Sequence, residues 1–321
     1  MKIAITGANG FVGKTILNHF AESGNEAIAL IRKSASLPSG NYQIRTIDYE
    51  DPIALHHSLE DVDVLVHNAG KTVAFDHMDM IRVNLGLTRK IVAALNSVTK
   101  PIHLVYISSQ AAAGPSPGGV LLSEDAEAHP LTAYGKSKLM AEKMIQRECR
   151  QAYTIVRPCS VYGPGDRDFL NLFKICSYGL STQIGSKARP LNMIHVSQLA
   201  AFLLLVCGNP RAYKEIFYAT DNQVYNQADI AQCICRVMGK RLQRIVIPEA
   251  LARPAFQASD LLGRLRHKAG IINNEKYREI TAEAWLADPA KARSILGWNP
   301  EPQLEQLILE TYQWYVQASW L

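Results

Sequence analysis

The sequence lacks several features that would place it in other protein classes. Its 321 residues include only six cysteines, at positions 149, 159, 176, 207, 233 and 235, and none forms a C-x-x-C pair. A disulfide-stapled fold and a cysteine zinc site are therefore not expected. The thiols are predicted to be reduced, as is typical of the cytoplasm, and no metal site is predicted.

Long apolar runs and dense charge blocks are also missing. The most apolar stretch, residues 199–207, is far shorter than the ~20 residues that cross a membrane. Lysines and arginines are scattered and the net charge is only +5, so neither a membrane nor a nucleic acid is expected as a partner. The chain enters its first strand at once, which predicts no signal peptide and a cytoplasmic location.

What is present is the composition of a packed globular protein, with 48% hydrophobic and 20% charged residues. Strand-length apolar runs alternate with helical patterns as far as residue 166, which predicts an α/β, Rossmann-type doubly wound parallel sheet. Residues 111–119 are small or proline and are predicted to be a loop. Residues 1–165, with return segments at about 189–225, should form the dinucleotide-binding domain. Residues 166–188 and 226–321 should form a smaller, mostly helical substrate domain.

The chain is organised around its first thirteen residues, MKIAITGANGFVG. A short strand ends at Thr6, glycines follow at positions 7, 10 and 13, and a helix begins. In a dinucleotide-binding βαβ unit, Gly7 allows the tight turn, Gly10 the close approach of a pyrophosphate, and Gly13 the packing of helix on strand. The helix N-terminus adds free amides for the phosphates.

The second strand indicates which cofactor is bound. It ends in Arg32 and Lys33, and no acidic residue stands there to accept a hydrogen bond from the ribose 2′-hydroxyl of NAD. An arginine suits the 2′-phosphate of NADP, so NADP is favoured and NAD remains open. Asp48, after the third strand, could accept from the adenine amino group.

Tyr134 and Lys138 carry the clearest chemical signal. Four residues apart on a predicted helix, they share one face. An ammonium beside a phenol is expected to lower the phenol pKa from ~10, so that Tyr134 could exchange a proton with a substrate oxygen. Ser109, just after the fifth strand, could donate to the same oxygen.

Together these motifs resemble the extended short-chain dehydrogenases/reductases, the NAD(P)-dependent epimerase/dehydratase family. The resemblance covers nearly the whole chain and rests on TGANGFVG (6–13), HNAG (67–70), ISSQAAAG (107–114), YGKSK (134–138), RPCSVYGPGD (157–166), MIHV (193–196) and LGWNP (296–300). It implies a catalytic triad of Ser109, Tyr134 and Lys138. It also implies a homodimer formed through helices at about 78–97 and 132–151.

The predicted site falls into two further sets. The cofactor-binding set is Thr6, Gly7, Asn9, Gly10, Phe11, Val12, Gly13, Arg32, Asp48, Asn68, Ala69, Gly70, Ser108, Tyr134, Lys138 and Pro158. The substrate-binding set is Thr72, Gln110, Arg167 and Arg189.

Departures from the family pattern bear on the reaction. Gln110-Ala111 stands where sugar dehydratases place an acidic pair, so dehydration is not expected. Three functions stay open: an NADP-linked reductase or dehydrogenase acting on a small-molecule hydroxyl or carbonyl, a nucleotide-sugar epimerase that keeps NAD, and a cofactor-sensing protein without turnover. The epimerase would use Arg167 and Arg189 to clamp a diphosphate.

Overall fold

A computed structural model describes residues 1–72, 77–265 and 273–321. The strands are Lys2–Thr6 (β1), Glu26–Arg32 (β2), Gln43–Ile47 (β3), Val64–His67 (β4), His103–Ile107 (β5), Tyr153–Pro158 (β6), Ser160–Tyr162 (β7), Leu180–Ile184 (β8), Pro190–Leu191 (β9), Met193–His195 (β10), Ile216–Ala219 (β11), Tyr225–Asn226 (β12) and Gln243–Ile247 (β13). The helices are Phe11–Glu22 (α1), Pro52–His57 (α2), His77–Ser97 (α3), Gln110–Ala113 (α4), Ala133–Glu148 (α5), Arg167–Ser177 (α6), Val196–Val206 (α7), Gln227–Val237 (α8), Glu249–Leu265 (α9), Asn274–Thr281 (α10), Ala290–Leu296 (α11) and Leu304–Gln317 (α12).

The centre of the molecule is a seven-stranded sheet in the order β11-β6-β5-β4-β1-β2-β3, with every neighbouring pair parallel. Strands β4 and β5 are buried along their whole length, as expected when helices cover both faces of a parallel sheet. The chain reverses direction across the sheet between β1 and β4, and the crevice at such a switch point is where doubly wound folds bind ligands. The prediction of a Rossmann-type sheet is confirmed.

Two apolar layers hold the helices to the sheet. Helices α1 and α7 pack on one face through side chains such as Phe20 and Phe202, which are fully buried. Helices α3 and α5 cover the other face through residues such as Ile91 and Ile145. A third apolar cluster joins α6, α8 and α12, with Phe173 and Tyr315 at its centre.

Several details differ from the sequence-based expectations. Residues 110–113 form the short helix α4 instead of a loop, because the Ser109 side chain caps it by accepting the Ala111 N–H at 3.1 Å. Residues 190–195 contain two short strands, β9 and β10, which pair with β12 and β7 respectively. Strands β7 and β8 and helix α2 were not predicted, although Asp51 and Pro52 give α2 an ordinary N-terminal cap.

The division into a dinucleotide-binding domain and a substrate domain remains a prediction. The β11 strand belongs to the large sheet, while α6, α8 and α12 share the separate apolar cluster. Helix α11, although late in the chain, packs with Ala292 and Trp298 against the α1–α7 side of the sheet.

Candidate active site

The carboxyl ends of β1, β4 and β5 lie side by side, because Thr6 pairs with His67 and His67 pairs with Tyr106. The residues that follow these strands therefore meet at one edge of the sheet. They include the glycine turn at 7–13, the loop at 68–70 and the serines 108 and 109.

The glycine turn is built for close packing at two positions and is open at the third. Gly7 has φ +67°, and a Cβ there would lie 2.9 Å from the Ala69 backbone. A Cβ on Gly13 would lie 2.1 Å from the Gly7 carbonyl oxygen, whereas one on Gly10 would meet only that oxygen, at 3.4 Å. Gly10 also leaves the first turn of α1 without a side-chain cap. A pyrophosphate fits this arrangement, because the helix amides and the space beside Gly10 are both available.

A buried histidine links the glycine turn to its neighbours. Thr88 donates its hydroxyl hydrogen to the Asn84 carbonyl, so the Nε2–H of His67 donates to Thr88, at 3.1 Å. The other ring nitrogen, Nδ1, then accepts from the Thr6 hydroxyl at 2.8 Å. Thr6 also accepts the Ala69 N–H at 3.1 Å. Burial lowers the pKa of His67 to about 3. The ring is therefore neutral at physiological pH and keeps the same two hydrogen bonds.

Asn84 holds the next loop against α5. Its Oδ1 accepts the Lys71 N–H at 2.7 Å, and its Nδ2 donates to the Lys71 carbonyl at 3.0 Å and to Ser137 Oγ at 2.8 Å. Ser137 in turn donates to the carbonyl of Tyr134 at 2.7 Å. The loop and α5 are thereby fixed relative to each other.

Lys138 is buried on α5, and Tyr134, one turn earlier, is half-buried. Lys138 Nζ donates to the Ile107 carbonyl at 2.8 Å and lies 6.0 Å from the centroid of the Tyr134 ring. Burial lowers the pKa of Lys138 to about 8, against the raising effect of Glu142. Ser109 lies two residues after Ile107, and its hydroxyl is hydrogen-bonded to the phenol of Tyr134.

The expected lowering of the Tyr134 pKa is not found. Burial raises the pKa of Tyr134 to about 12, the Ser109 hydroxyl lowers it in part, and the charge of Glu279 raises it. Lys138 does not offset this, because its ammonium is turned toward the Ile107 carbonyl. Tyr134 is thus protonated at neutral pH, which is the form that gives a proton to a carbonyl oxygen.

The comparisons with known proteins decide the family. The model of the NAD dependent epimerase/dehydratase family matches residues 3–219. The chain belongs to this family.

Relatives within the epimerase/dehydratase family span the full chain. A ceramide reductase of Caulobacter vibrioides is 27% identical over 99% of this chain and 96% of its own length. A UDP-glucose 4-epimerase of Vibrio cholerae is 22% identical over 99% of this chain and 96% of its own length. The solved structure of MoeE5 in complex with UDP-glucose and NAD superposes with a TM-score of 0.78 at 19% identity, over 99% of this chain and 100% of that one. The chain is accordingly an NAD(P)-dependent enzyme of the extended short-chain dehydrogenase/reductase type.

The other predicted cofactor residues lie along the same edge, but two serve a structural contact. Ser108 is buried and donates to Glu142 Oε1 at 2.5 Å, and Asn68 Nδ2 donates to the Gly7 carbonyl at 3.3 Å. Arg32 and Asp48 are exposed at the ends of β2 and β3, and Asn9 is exposed in the turn. Phe11 and Val12 begin α1, Gly70 lies beside Lys138, and Pro158 ends β6.

The structure does not bring the four predicted substrate residues together as a clamp. Arg189 bonds to the Ile184 carbonyl and, at 2.7 Å, to Glu249 Oε1. The Arg167 guanidinium lies 5.4 Å from the centroid of a Trp320 ring. Thr72 is exposed, whereas Gln110 is buried and its Nε2 has no hydrogen-bond partner among the described residues.

Three sets of residues near the site were not predicted from the sequence. Glu142 and Arg157 form a buried ion pair, with contacts at 2.7 and 3.0 Å, beneath Lys138 and Ser108. Helix α10 places Glu275 Oε1 2.8 Å from the Ala133 N–H and brings Glu279 close to Tyr134. Tyr49 is half-buried between Thr6 and Arg32. The i, i+4 spacing of Lys138 and Glu142 was a usable signal, but no local pattern announces α10.

Proposed function

We propose that this enzyme is an NADP-linked reductase that converts a ketone of a small molecule to the alcohol. Tyr134 supplies the proton to the carbonyl oxygen, Ser109 holds that oxygen, and Lys138 provides the neighbouring positive charge. The nicotinamide cofactor supplies the hydride when it is bound. The observation that favours this function is the pairing of Arg189 with Glu249 Oε1 at 2.7 Å, because a paired arginine is not free to clamp the diphosphate of a nucleotide sugar.

The engagement of Arg189 argues against the nucleotide-sugar epimerase. A diphosphate clamp needs guanidinium groups free to bind two phosphates. Arg189 is largely buried and pairs with Glu249, and Arg167 packs against Trp320. A reductase of a non-phosphorylated ketone needs neither arginine in that role, and the ceramide reductase of Caulobacter vibrioides makes a ceramide-type ketone the first substrate to assay.

The test measures NADPH consumption with ceramide-type ketones and, separately, the binding of UDP-glucose. The proposal predicts turnover of a ketone and no UDP-glucose binding. The double variant Arg167→Ala/Arg189→Ala should keep ketone turnover within a few fold. Tight binding of UDP-glucose that this double variant abolishes would establish the epimerase function instead.

The preference for NADP rests on Arg32 at the end of β2, which is exposed. Arg32→Ser should raise the dissociation constant of NADPH about tenfold or more and change that of NADH little, because only NADPH carries the 2′-phosphate. Lys33→Ser, one residue further on, is the matched control. Equal losses for both cofactors would contradict a role in 2′-phosphate binding.

A homodimer through α3 and α5 and a cytoplasmic location complete the proposal. The two helices pack on each other and expose Met78 and Met140, at 67% and 42% of their surface. None of the helices in the described residues is long and apolar enough to cross a membrane, and all six cysteines are unpaired. Light scattering of the protein and of Met140→Lys tests the dimer, which the charge should dissociate.

A further inference from the structure

Two histidines and a glutamate converge on the surface at the end of α2. His56 Nε2 lies 3.3 Å from Glu60 Oε1, and His57 Nδ1 lies 3.1 Å from Glu60 Oε2. The donor atoms of all three residues lie within 4.8 Å of one another. His56 is 29% exposed, His57 63% and Glu60 52%, so the group opens to solvent.

The spacing matches what a small metal ion requires. Zinc binds histidine nitrogen and carboxylate oxygen at about 2.0–2.2 Å, and the ligands of a tetrahedral site are then about 3.3 Å apart. The two observed nitrogen–oxygen distances, 3.1 and 3.3 Å, are close to this separation, and each joins one imidazole to a different oxygen of the Glu60 carboxylate. Little rearrangement would be needed for binding.

The hydrogen bonds of Ser97 determine which ring nitrogen of His56 carries the hydrogen. The other nitrogen, which faces Glu60, then carries a lone pair. Ser97 Oγ lies 2.7 Å from the Ala94 carbonyl and 2.7 Å from His56 Nδ1. The serine has one hydrogen, and both contacts are satisfied only if it is given to Ala94 and if His56 Nδ1–H donates to Ser97. Nε2 of the neutral ring then carries a lone pair that points at the Glu60 carboxylate.

A lone pair and a carboxylate 3.3 Å apart repel each other unless a positive charge lies between them. A proton on Nε2 can supply that charge, and so can a divalent cation. The contact from Nδ1 to Ser97 is also the kind of hydrogen bond that orients metal-ligating histidines through their second nitrogen. Arg45, which donates to the Ser58 carbonyl in the turn after α2, does not compete, because both its terminal nitrogens bond to Asp61, at 2.7 and 2.8 Å.

We propose that His56, His57 and Glu60 form a binding site for a divalent transition metal, with Zn²⁺ the best fit, and with water completing the coordination. Imidazole and carboxylate ligands suit zinc, and nickel and copper are the alternatives of similar chemistry. The site lies where α2 and α3 both end, at the amino-terminal edge of the sheet and away from Tyr134. Bound metal would therefore tie α2 and the turn after it to each other, and would stabilise the fold without taking part in the reaction.

Calorimetric titration of the untagged full chain with ZnCl₂ at pH 7.5 tests the proposal. The expected result is one zinc per chain at micromolar dissociation constant, weakened at least about tenfold in His57→Ala and in Glu60→Gln. Zinc should also raise the melting temperature of the native chain but not of His57→Ala. Both side chains are more than half exposed, so the variants should fold, which circular dichroism checks.

His129→Ala is the matched control, because His129 is exposed and, within the part of the chain that the structure describes, pairs with one carboxylate, Glu127 at 3.8 Å. It should leave zinc binding unchanged, and His57→Ala should leave turnover unchanged. Absence of zinc binding, or binding that survives in both His57→Ala and Glu60→Gln, would overturn the proposal. In that case the cluster is a proton-dependent ion pair only.

Discussion

At the residue scale, the central group is Tyr134, a half-buried phenol whose pKa is raised to about 12 by the loss of surrounding water. Its raised pKa suits it to donate a proton and makes it a poor base at neutral pH. The nearby ammonium of Lys138 is itself held in a dry site, which brings its pKa within reach of physiological pH. Burial therefore moves the pKa values of these two neighbours in opposite directions.

Replacing Tyr134 by phenylalanine should reduce ketone turnover by at least about a hundredfold, because the proton donor is removed. NADPH affinity should stay within a few fold, since the ring remains. Stopped-flow turnover and fluorescence titration of NADPH measure the two quantities. Tyr178→Phe, at an 82% exposed position, is the control, and unchanged turnover in Tyr134→Phe would exclude the proposed mechanism.

The kcat/KM for ketone reduction should fall at alkaline pH as Lys138 loses its proton. This fall is the alkaline limb of the pH profile. With a pKa of about 8, the ammonium is present below pH 8 and is lost as the pH rises through that value. The kcat/KM for ketone reduction is therefore expected to be flat from pH 6.5 to 7.5 and to fall above pH 8. A profile that stays flat to pH 10 would contradict the assigned role of Lys138.

Residue-level prediction from sequence succeeded where the chemistry is local. The glycines at 7 and 13 are required by backbone contacts that the turn itself makes. The predicted lowering of the Tyr134 pKa was wrong. The spacing on a helix shows that Lys138 is near Tyr134, but it does not show that the Lys138 ammonium turns to the Ile107 carbonyl. Burial, which dominates here, depends on α10 and the sheet.

At the element scale, a buried ion pair joins three elements beneath the site. Glu142 on α5 bonds to Arg157 on β6 and receives the hydroxyl of Ser108 at the end of β5. The Glu142 and Arg157 side chains are 1% and 4% exposed. Such pairs seldom add stability over an apolar contact, but removing one partner is costly. Its effect here is to hold Ser108, the residue before Ser109, against the helix that carries Tyr134.

Glu142→Gln should therefore lower the free energy of unfolding by about 3–5 kcal/mol. It should also move the alkaline limb of the reduction profile to lower pH, because the Glu142 carboxylate raises the Lys138 pKa. Urea unfolding and the pH profile give the two readouts. Glu50→Gln, in the exposed pair with Lys90, should change neither, and a limb that does not move would show that the pair is structural only.

The strands and helices that could be predicted from the sequence are those with a clear pattern of apolar residues. The strands of the sheet are continuous apolar runs, and their order follows from βαβ connections. The short strands β7, β9 and β10 could not be predicted, because two or three residues carry no periodicity. Strand β8 has five residues, but its polar centre, Ser181 to Gln183, hides it. The N-terminal contact of α5 with Glu275 joins residues 142 positions apart, which no local pattern can show.

At the scale of the whole molecule, three buried histidines make the fold sensitive to acid. Burial lowers the pKa of His67 to about 3 and the pKa values of His103 and His195 to about 4. Each is neutral when folded but takes up a proton near pH 6.5 when unfolded. Stability is therefore complete above pH 6.5 and is lost as the pH falls toward the folded pKa values.

Between pH 7.5 and pH 5.5 the free energy of unfolding should fall by about 1.4 kcal/mol for each of these histidines. Urea unfolding at the two pH values measures the change. His129→Ala, at an exposed position, should leave this change in the free energy of unfolding between the two pH values as it is. A stability that is constant or that increases over this range would contradict the assignment of three neutral buried rings.

The most direct test of the central claim is to denature the purified enzyme and identify any nucleotide that it releases. An NADP-linked reductase exchanges its cofactor in every turnover. We therefore expect little bound nucleotide, and an emptied protein that binds NADPH more tightly than NADH. Stoichiometric NAD(H) carried through purification would contradict the account, because it is the property of an epimerase that keeps and recycles its cofactor.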